Sequence, residues 1–121
     1  MSTFALLDSG SSLNFLSRSF VEHFGLSTCK GPAVRATLAD GAQLTMDDVV
    51  GLELAFGVGG TGGHRFTIEC YVLESLSHDL VLGLGFLQAY NPAVDWQCCT
   101  MTFHMHDVVV HATHVGKALV E

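Results

Sequence analysis

Asp8 ends an apolar run, Phe4-Ala5-Leu6-Leu7, and is followed at once by Ser9, Gly10, Ser11 and Ser12. A carboxylate at the end of a buried strand, with small hydroxylated residues after it, has two readings. As an Asx-turn it would simply cap the strand, because Asp, Ser and Gly are turn formers. As a catalytic group it would be held by its own loop, placed to give or take a proton. Other chemistry-bearing residue types narrow the field. His104 and His106 share one face of "HMH", with His111 and His114 following. No Cys or carboxylate stands at a spacing that completes a zinc site with them, so they read as solvated strand residues and no metal is expected. Cys29, Cys70, Cys98 and Cys99 lack C-x-x-C spacing and read as reduced thiols; Cys98 and Cys99, adjacent in a strand, would point to opposite faces. Gly57, Gly59 and Gly62 match G-x-G-x-x-G, but the stretch 64–74 that follows is β-branched and aromatic. A pyrophosphate site needs a helix to begin there, so no dinucleotide cofactor is expected.

The elements that must position Asp8 are mostly strands. "TFALL" runs into it. "SRSFVEHFGL", 17–26, reads as a short helix: Ser17 or Ser19 can cap it, Ser19 and Glu22 have capping-box spacing, and Gly25 stands where a left-handed residue ends a helix. "AVRATLADGAQLTM" reads as a hairpin, since Asp40-Gly41 is the strongest short-range turn signal in the chain. "DVVGLELAF", opened by Asp47 and Asp48, and "HRFTIECYVLE" are strands joined by the glycine-rich "GVGGTGG". Leu80-Val81-Leu82 is a short buried strand broken by Gly83; Gly85 to Tyr90 can turn helically until Asn91-Pro92 stops it. "AVDWQCCTMTFHM" and "DVVVHATHV" read as a closing hairpin with Asp107 near its turn. The predicted class is all-β with one or two short helices.

Composition agrees with a compact fold and excludes several functions. Of 121 residues, 49% are apolar and only 14% charged, which is unlike a disordered tail and suits one domain spanning 1–121. The net charge of −7, with five Lys and Arg, cannot build a phosphate-tracking patch, so neither nucleic acid nor an anionic membrane is an expected partner. The longest apolar stretch, "LVLGLGFL", is too short to span a bilayer. Met1-Ser2-Thr3 carries no basic segment before a long apolar core, so no secretory leader is expected.

The order of these blocks is itself informative. A strand ends in Asp8-Ser9-Gly10, a Gly-tipped hairpin follows, and Val81-Leu82-Gly83 then leads into a short helix. In this the chain resembles the retropepsins, the single-lobe aspartic proteases of retroviruses and retrotransposons, and most of all the gypsy-type LTR retrotransposon proteases and their domesticated relatives. "LLDSGSSLNFLS" is similar to that group's D-[ST]-G-[AS] loop, and "HDLVLGLGFLQAYNPAVDWQCCTMTF" to its D-x-[IV]-L-G-M-x-[WF]-L … P-x-[IV]-D-W … [LMV]-x-F segment. The likeness runs from Phe4 to about Phe103, leaving 104–121 as a C-terminal strand extension. Gly85 stands where the family usually has a polar residue.

The resemblance implies a retropepsin-like β-barrel that works as a C2 homodimer, because this chain has one Asp-Ser-Gly and the chemistry needs two carboxylates. It implies Asp8, Ser9 and Gly10 as the catalytic loop, with Ser11 and Ser12 on the floor of the cleft. Ala39, Asp40 and Gly41 would form the tip of a closing flap, with Leu38 and Leu44 as apolar contacts; Val81 and Leu82 would line substrate and buttress the loop, and Gly83 would support it. The remaining aspartates, Asp47, Asp48, Asp79, Asp95 and Asp107, read as solvated turns or caps. The implied function is an aspartic endopeptidase acting on extended peptides with apolar flanking residues, in polyprotein processing, in the cytoplasm or a retroelement particle. The alternative is a domesticated fold that dimerises or binds peptides without catalysis. Trimeric pyrimidine-nucleotide hydrolases are also small and β-rich, but no phosphate-binding or uracil-reading motif is found here.

Overall fold

A computed structural model of the protein describes residues 3–37, 41–56, 65–74, 76–104, 108–111 and 117–120. In chain order its elements are β1 (Thr3–Leu7), β2 (Phe15–Ser17), α1 (Arg18–His23), β3 (Cys29–Thr37), β4 (Gln43–Leu54), β5 (Phe66–Leu73), β6 (Leu80–Leu82), α2 (Leu84–Tyr90), β7 (Ala93–Asp95), β8 (Thr100–Phe103), β9 (Val108–His111) and β10 (Lys117–Val120). Seven strands form one mixed sheet in the order β10-β1-β6-β2-β5-β4-β3, and three form a second, β7-β8-β9.

The burial of β6 follows from its place. It runs parallel to β1 (Leu7 opposite Leu82) and antiparallel to β2 (Phe15 opposite Val81). A strand enclosed in this way reads as a continuous apolar run, and all three of its residues are buried. β5 instead alternates: Phe66, Ile68, Cys70 and Val72 face inward while Thr67 and Glu69 face out. Phe56, Phe66, Phe86 and Phe103 meet at the centre with ring centroids 4.6–6.2 Å apart, so the core is joined by aromatic edge and face contacts. Tyr90 closes one side: its ring lies 4.7 Å from that of Phe66, and its hydroxyl donates to the Thr67 carbonyl and accepts from the Thr67 N–H. That pair of bonds ties α2 to β5.

α1 carries complete end chemistry. The Ser17 hydroxyl accepts from the Phe20 N–H at 3.1 Å, which settles the N-cap between Ser17 and Ser19. At the other end Gly25 takes φ +60°, its N–H bonds the Glu22 carbonyl, and the Leu26 N–H reaches back to Val21. These two bonds are the Schellman pattern, and glycine allows it because it has no Cβ to clash. The helix ends at His23, three residues short of the predicted boundary, with the Phe24 N–H still bonding the Phe20 carbonyl at 3.2 Å as its cap.

Three local expectations need correction. β4 is one strand from Gln43 to Leu54, with Asp47 and Asp48 inside it. Asp48 is no solvated cap: it bonds Arg18 at 2.6 Å and Lys30 at 2.8 Å, while Asp47 pairs with Lys30 at 3.2 Å. Those cations are supplied by α1 and by β3 across the hairpin, which a local reading cannot see. Second, "AVDWQCCTMTF" is two strands. The Asp95 carboxylate accepts from the Gln97 and Cys98 N–H groups, both at 3.0 Å, and Cys99 sits at φ +56°, so the chain reverses between β7 and β8. Cys98 and Cys99 therefore lie in a turn. Third, β2 was not anticipated. It is three residues long and depends on β6 and β5 to either side.

The glycine-rich connection with Gly57, Gly59 and Gly62, the predicted hairpin turn near Asp107, and His106 and His114 lie outside the described residues. Among the described residues, no group of three His, Cys, Asp or Glu side chains could hold a metal ion, and no helix is long and apolar enough to cross a membrane.

Candidate active site

Sheet order places Asp8. β6 lies between β1 and β2, so the segment linking β1 to β2, residues 8–14, has to arch over the end of β6, where Gly83 sits. Asp8 continues the parallel pairing one residue beyond β1, its N–H bonding the Leu82 carbonyl at 2.9 Å. The arch then closes on itself. The Gly10 N–H donates to Asp8 Oδ1 at 2.9 Å, the Ser11 N–H to the Asp8 carbonyl at 3.1 Å, and the Ser11 hydroxyl to the Leu13 carbonyl at 2.7 Å. The strand-capping turn and the loop-held carboxylate are thus the same object: an Asx-type turn that orients one carboxylate oxygen and leaves Asp8 exposed.

Gly83 and Asn14 clamp this arch from below. The Gly83 N–H donates to Asn14 Oδ1 at 2.8 Å, and the Leu84 N–H to the Ser11 carbonyl at 2.6 Å. Asn14 also donates to the Glu69 carbonyl at 3.2 Å and accepts, through its own carbonyl, from the Tyr71 N–H at 2.9 Å. One amide therefore joins the arch to β5 and to the start of α2. Gly83 has φ −95°, which any residue can adopt; it is glycine for lack of room. A Cβ there would stand 2.6 Å from the Ser11 carbonyl oxygen, 2.9 Å from the Leu13 carbonyl carbon and closer still to the Leu13 oxygen. These are backbone atoms that cannot rotate away. At Gly85 a Cβ would meet only the Ser12 carbonyl oxygen, at an ordinary 3.6 Å.

The predicted site residues divide by location. Asp8, Ser9 and Gly10 are exposed together on the arch, with Ser11 half-buried and Ser12 exposed beside them. Gly83 stands beneath the loop. Val81 and Leu82 are corrected as substrate-lining residues: at 5% and 0% exposure their side chains belong to the core, and they support the arch from inside. Of the hairpin, Leu38, Ala39 and Asp40 lie outside the described residues. Gly41 is exposed at φ +88°, a conformation that favours glycine, and Leu44 is half-buried opposite Ala36. Asn14 was missed. Its only sequence signal is an amide standing inside the otherwise apolar run Leu13–Leu16.

The other aspartates among the described residues are occupied elsewhere. Asp79 accepts from the Thr3 hydroxyl at 2.6 Å, at the far end of β1 from Asp8. Bonds from Lys30 and then Arg18 hold the Asp48 carboxyl below its ordinary range, and the backbone of its own turn, Cys98 first, does the same for Asp95. Among the cysteines, burial pushes the Cys70 thiol up to about 12, so it stays protonated and unreactive. Cys29, Cys98 and Cys99 are exposed and unpaired.

With this geometry the comparison with known proteins can be stated. The model of the PEG10/RTL1 protease domain matches residues 4–112. The chain belongs to the PEG10/RTL1 protease domain family. Membership makes it a retropepsin-like domain of the domesticated gypsy kind, as its motifs suggest. A solved structure with the same fold is the retroviral protease-like domain of Ddi1 from Leishmania major, with TM-score 0.61 and 17% identity over 86% of this chain and 80% of that one. At that identity the likeness concerns the fold alone.

Proposed function

We propose that this domain is one half of a homodimeric aspartic endopeptidase. The observation that carries the reading is the Asp8 arch: an exposed carboxylate with one oxygen held by the Gly10 N–H, on a loop clamped at Gly83 and Asn14. One such loop is half a catalyst. Peptide hydrolysis needs a base to deprotonate the attacking water and an acid to protonate the leaving amine. When the Asp8 loops of two copies meet across a twofold axis, two carboxyls about 3 Å apart cannot both ionise, so they share a proton. The ionised member accepts the proton of the water, and the protonated member gives its own toward the substrate. The pair titrates as a unit with two apparent pKa values.

Ser9 then faces its counterpart near the axis, Ser11 and Ser12 form the cleft floor, and the β3–β4 hairpin closes over an extended peptide with apolar residues flanking the bond. Polyprotein segments of that kind are the proposed substrates. The test is digestion of a peptide library by wild type and Asp8→Asn, with and without pepstatin. Wild type should cleave, pepstatin should block it, and Asp8→Asn should lower the rate at least about a hundredfold. Equal cleavage by both proteins would discard the proposal.

A further inference from the structure

The turn between β7 and β8, residues 96–99, ends in two adjacent cysteines whose thiols are both free and exposed. In a strand such neighbours would point to opposite faces; the turn brings them round to one side. The Cys99 thiol donates to the Trp96 carbonyl at 3.9 Å. The Cys98 thiol donates to the Asp95 carboxylate, which also accepts from the Cys98 N–H at 3.0 Å. Both sulfurs are thus directed back to the place where β7 ends. Cys99 holds φ +56°. Asn91 is the other non-glycine residue with positive φ among the described residues, and it ends a helix, a position where asparagine is at home. Cysteine has no such preference for the left-handed region, so Cys99 carries a backbone cost that its surroundings impose. Cys99 also lines an open groove of about 730 Å³ with Leu84, Leu87 and Val94, which leaves its sulfur within reach.

We infer that Cys98 and Cys99 form a two-sulfur chelate for a soft, thiophilic metalloid, represented by a trivalent arsenical that carries one apolar substituent. The inference needs one chain only and stands apart from the paired-Asp8 reading. Three considerations fix the ligand class. Adjacent residues hold their Cα atoms about 3.8 Å apart across a trans peptide, below the roughly 4.4–6.8 Å that a disulfide ordinarily spans. An atom placed between the two sulfurs widens the ring, so a bridge is favoured over a direct S–S bond. Zinc asks for four ligands in a closed site, and among the described residues no group of three His, Cys, Asp or Glu could hold a metal ion. Trivalent arsenic with one organic group needs two sulfurs and no more, and sulfur ligands select soft centres.

The binding step balances without an oxidant. An organoarsenic(III) oxide takes both thiols: two As–S bonds form, two S–H bonds break, and the oxygen leaves with both protons as water. Arsenic stays trivalent throughout. The hydrogen bond and charge of Asp95 hold the Cys98 thiol above its ordinary range. Reagents that need a lone thiolate therefore find this sulfur slow, whereas a reagent whose own oxygen removes the proton does not. The apolar substituent is offered the groove beside Cys99, against Leu84, Leu87 and Val94.

Phenylarsine oxide is the probe. Wild-type protein is titrated with it while the emission of Trp96 is followed, because that indole is the one tryptophan of the chain and belongs to the same turn. Intact mass reads the adduct. The expected result is an emission change that saturates at one equivalent per chain, with a mass gain of one phenylarsenic unit less two hydrogens. Excess ethanedithiol should release the adduct, and glutathione at the same thiol concentration should not. Cys98→Ser and Cys99→Ser should each weaken binding at least about a hundredfold, the scale of loss when two linked contacts become one. Cys29→Ser, at an exposed cysteine on another strand, should bind as wild type does. Far-UV circular dichroism confirms that each variant is folded. Unchanged affinity in either Cys98→Ser or Cys99→Ser, or an adduct that glutathione strips as readily as ethanedithiol, overturns the inference. So does a wild type that takes up no phenylarsine oxide.

Discussion

Gly83 and Gly85 are two residues apart, and alanine should act oppositely at the two positions. At Gly83 the new methyl would press on the backbone of Ser11 and Leu13 at 2.6–2.9 Å or closer, so the arch has to lift by something near 1 Å. Overpacking of this kind destabilises by about 1–3 kcal/mol. Lifting the arch also stretches the Leu84–Ser11 and Gly83–Asn14 bonds, 2.6 and 2.8 Å long, each contributing about 1 kcal/mol. Gly83→Ala should therefore destabilise the domain by about 3–5 kcal/mol, a large share of the ~5–15 kcal/mol typical of a domain. With a urea m-value of about 2 kcal/mol/M, the midpoint falls by about 2 M. At Gly85 the methyl meets an ordinary contact of 3.6 Å inside α2, and Ala is the better helix former, so Gly85→Ala should stabilise by about 0.5 kcal/mol. Urea unfolding of both variants, followed by circular dichroism, measures the difference. On the proposed mechanism the lifted arch should also cost about a hundredfold in rate, since that is the scale for a 1 Å misplacement of catalytic groups. A Gly83→Ala protein as stable as wild type, or a Gly85→Ala protein equally weakened, would refute the claim that the arch rests on Gly83.

Two further outcomes follow from the same contacts. Asn14→Ala strands the Gly83 N–H and the Glu69 carbonyl and should destabilise by about 2–3 kcal/mol in the same urea assay, whereas Ser12→Ala, at an exposed position, should be close to neutral. The ion cluster predicts a pH effect. Asp48 is held below its ordinary 3.8 by Lys30 and Arg18, so its contribution is present above that value and is lost as pH falls through the lower folded value. Lys30 and Arg18 are raised above their ordinary values by the same pairing, so their contribution is lost only in strong alkali. Melting curves of wild type and Asp48→Asn should therefore converge as pH drops from 5 toward 2; a gap that stays constant over that range would exclude the cluster as the cause.

Much of this molecule is legible residue by residue because its signals are local. Ser17 and Gly25 bound α1, Asn91-Pro92 ends α2, and Asp8-Ser9-Gly10 marks the arch, each through bonds that span a few residues, while alternation of neighbouring side chains marks β5. The tertiary structure alone decided what depends on distant partners. β2 has too few residues for any periodicity and exists because β5 and β6 supply its ladder bonds. Asn14 becomes a clamp only when Gly83 and Glu69, 69 and 55 residues away, arrive beside it. Asp48 looks like a strand-opening cap until α1 and β3 bring Arg18 and Lys30 to it. A carboxylate, an amide or an indole has a role only through what it faces, and in a folded chain that is chosen by the order of strands in the sheet.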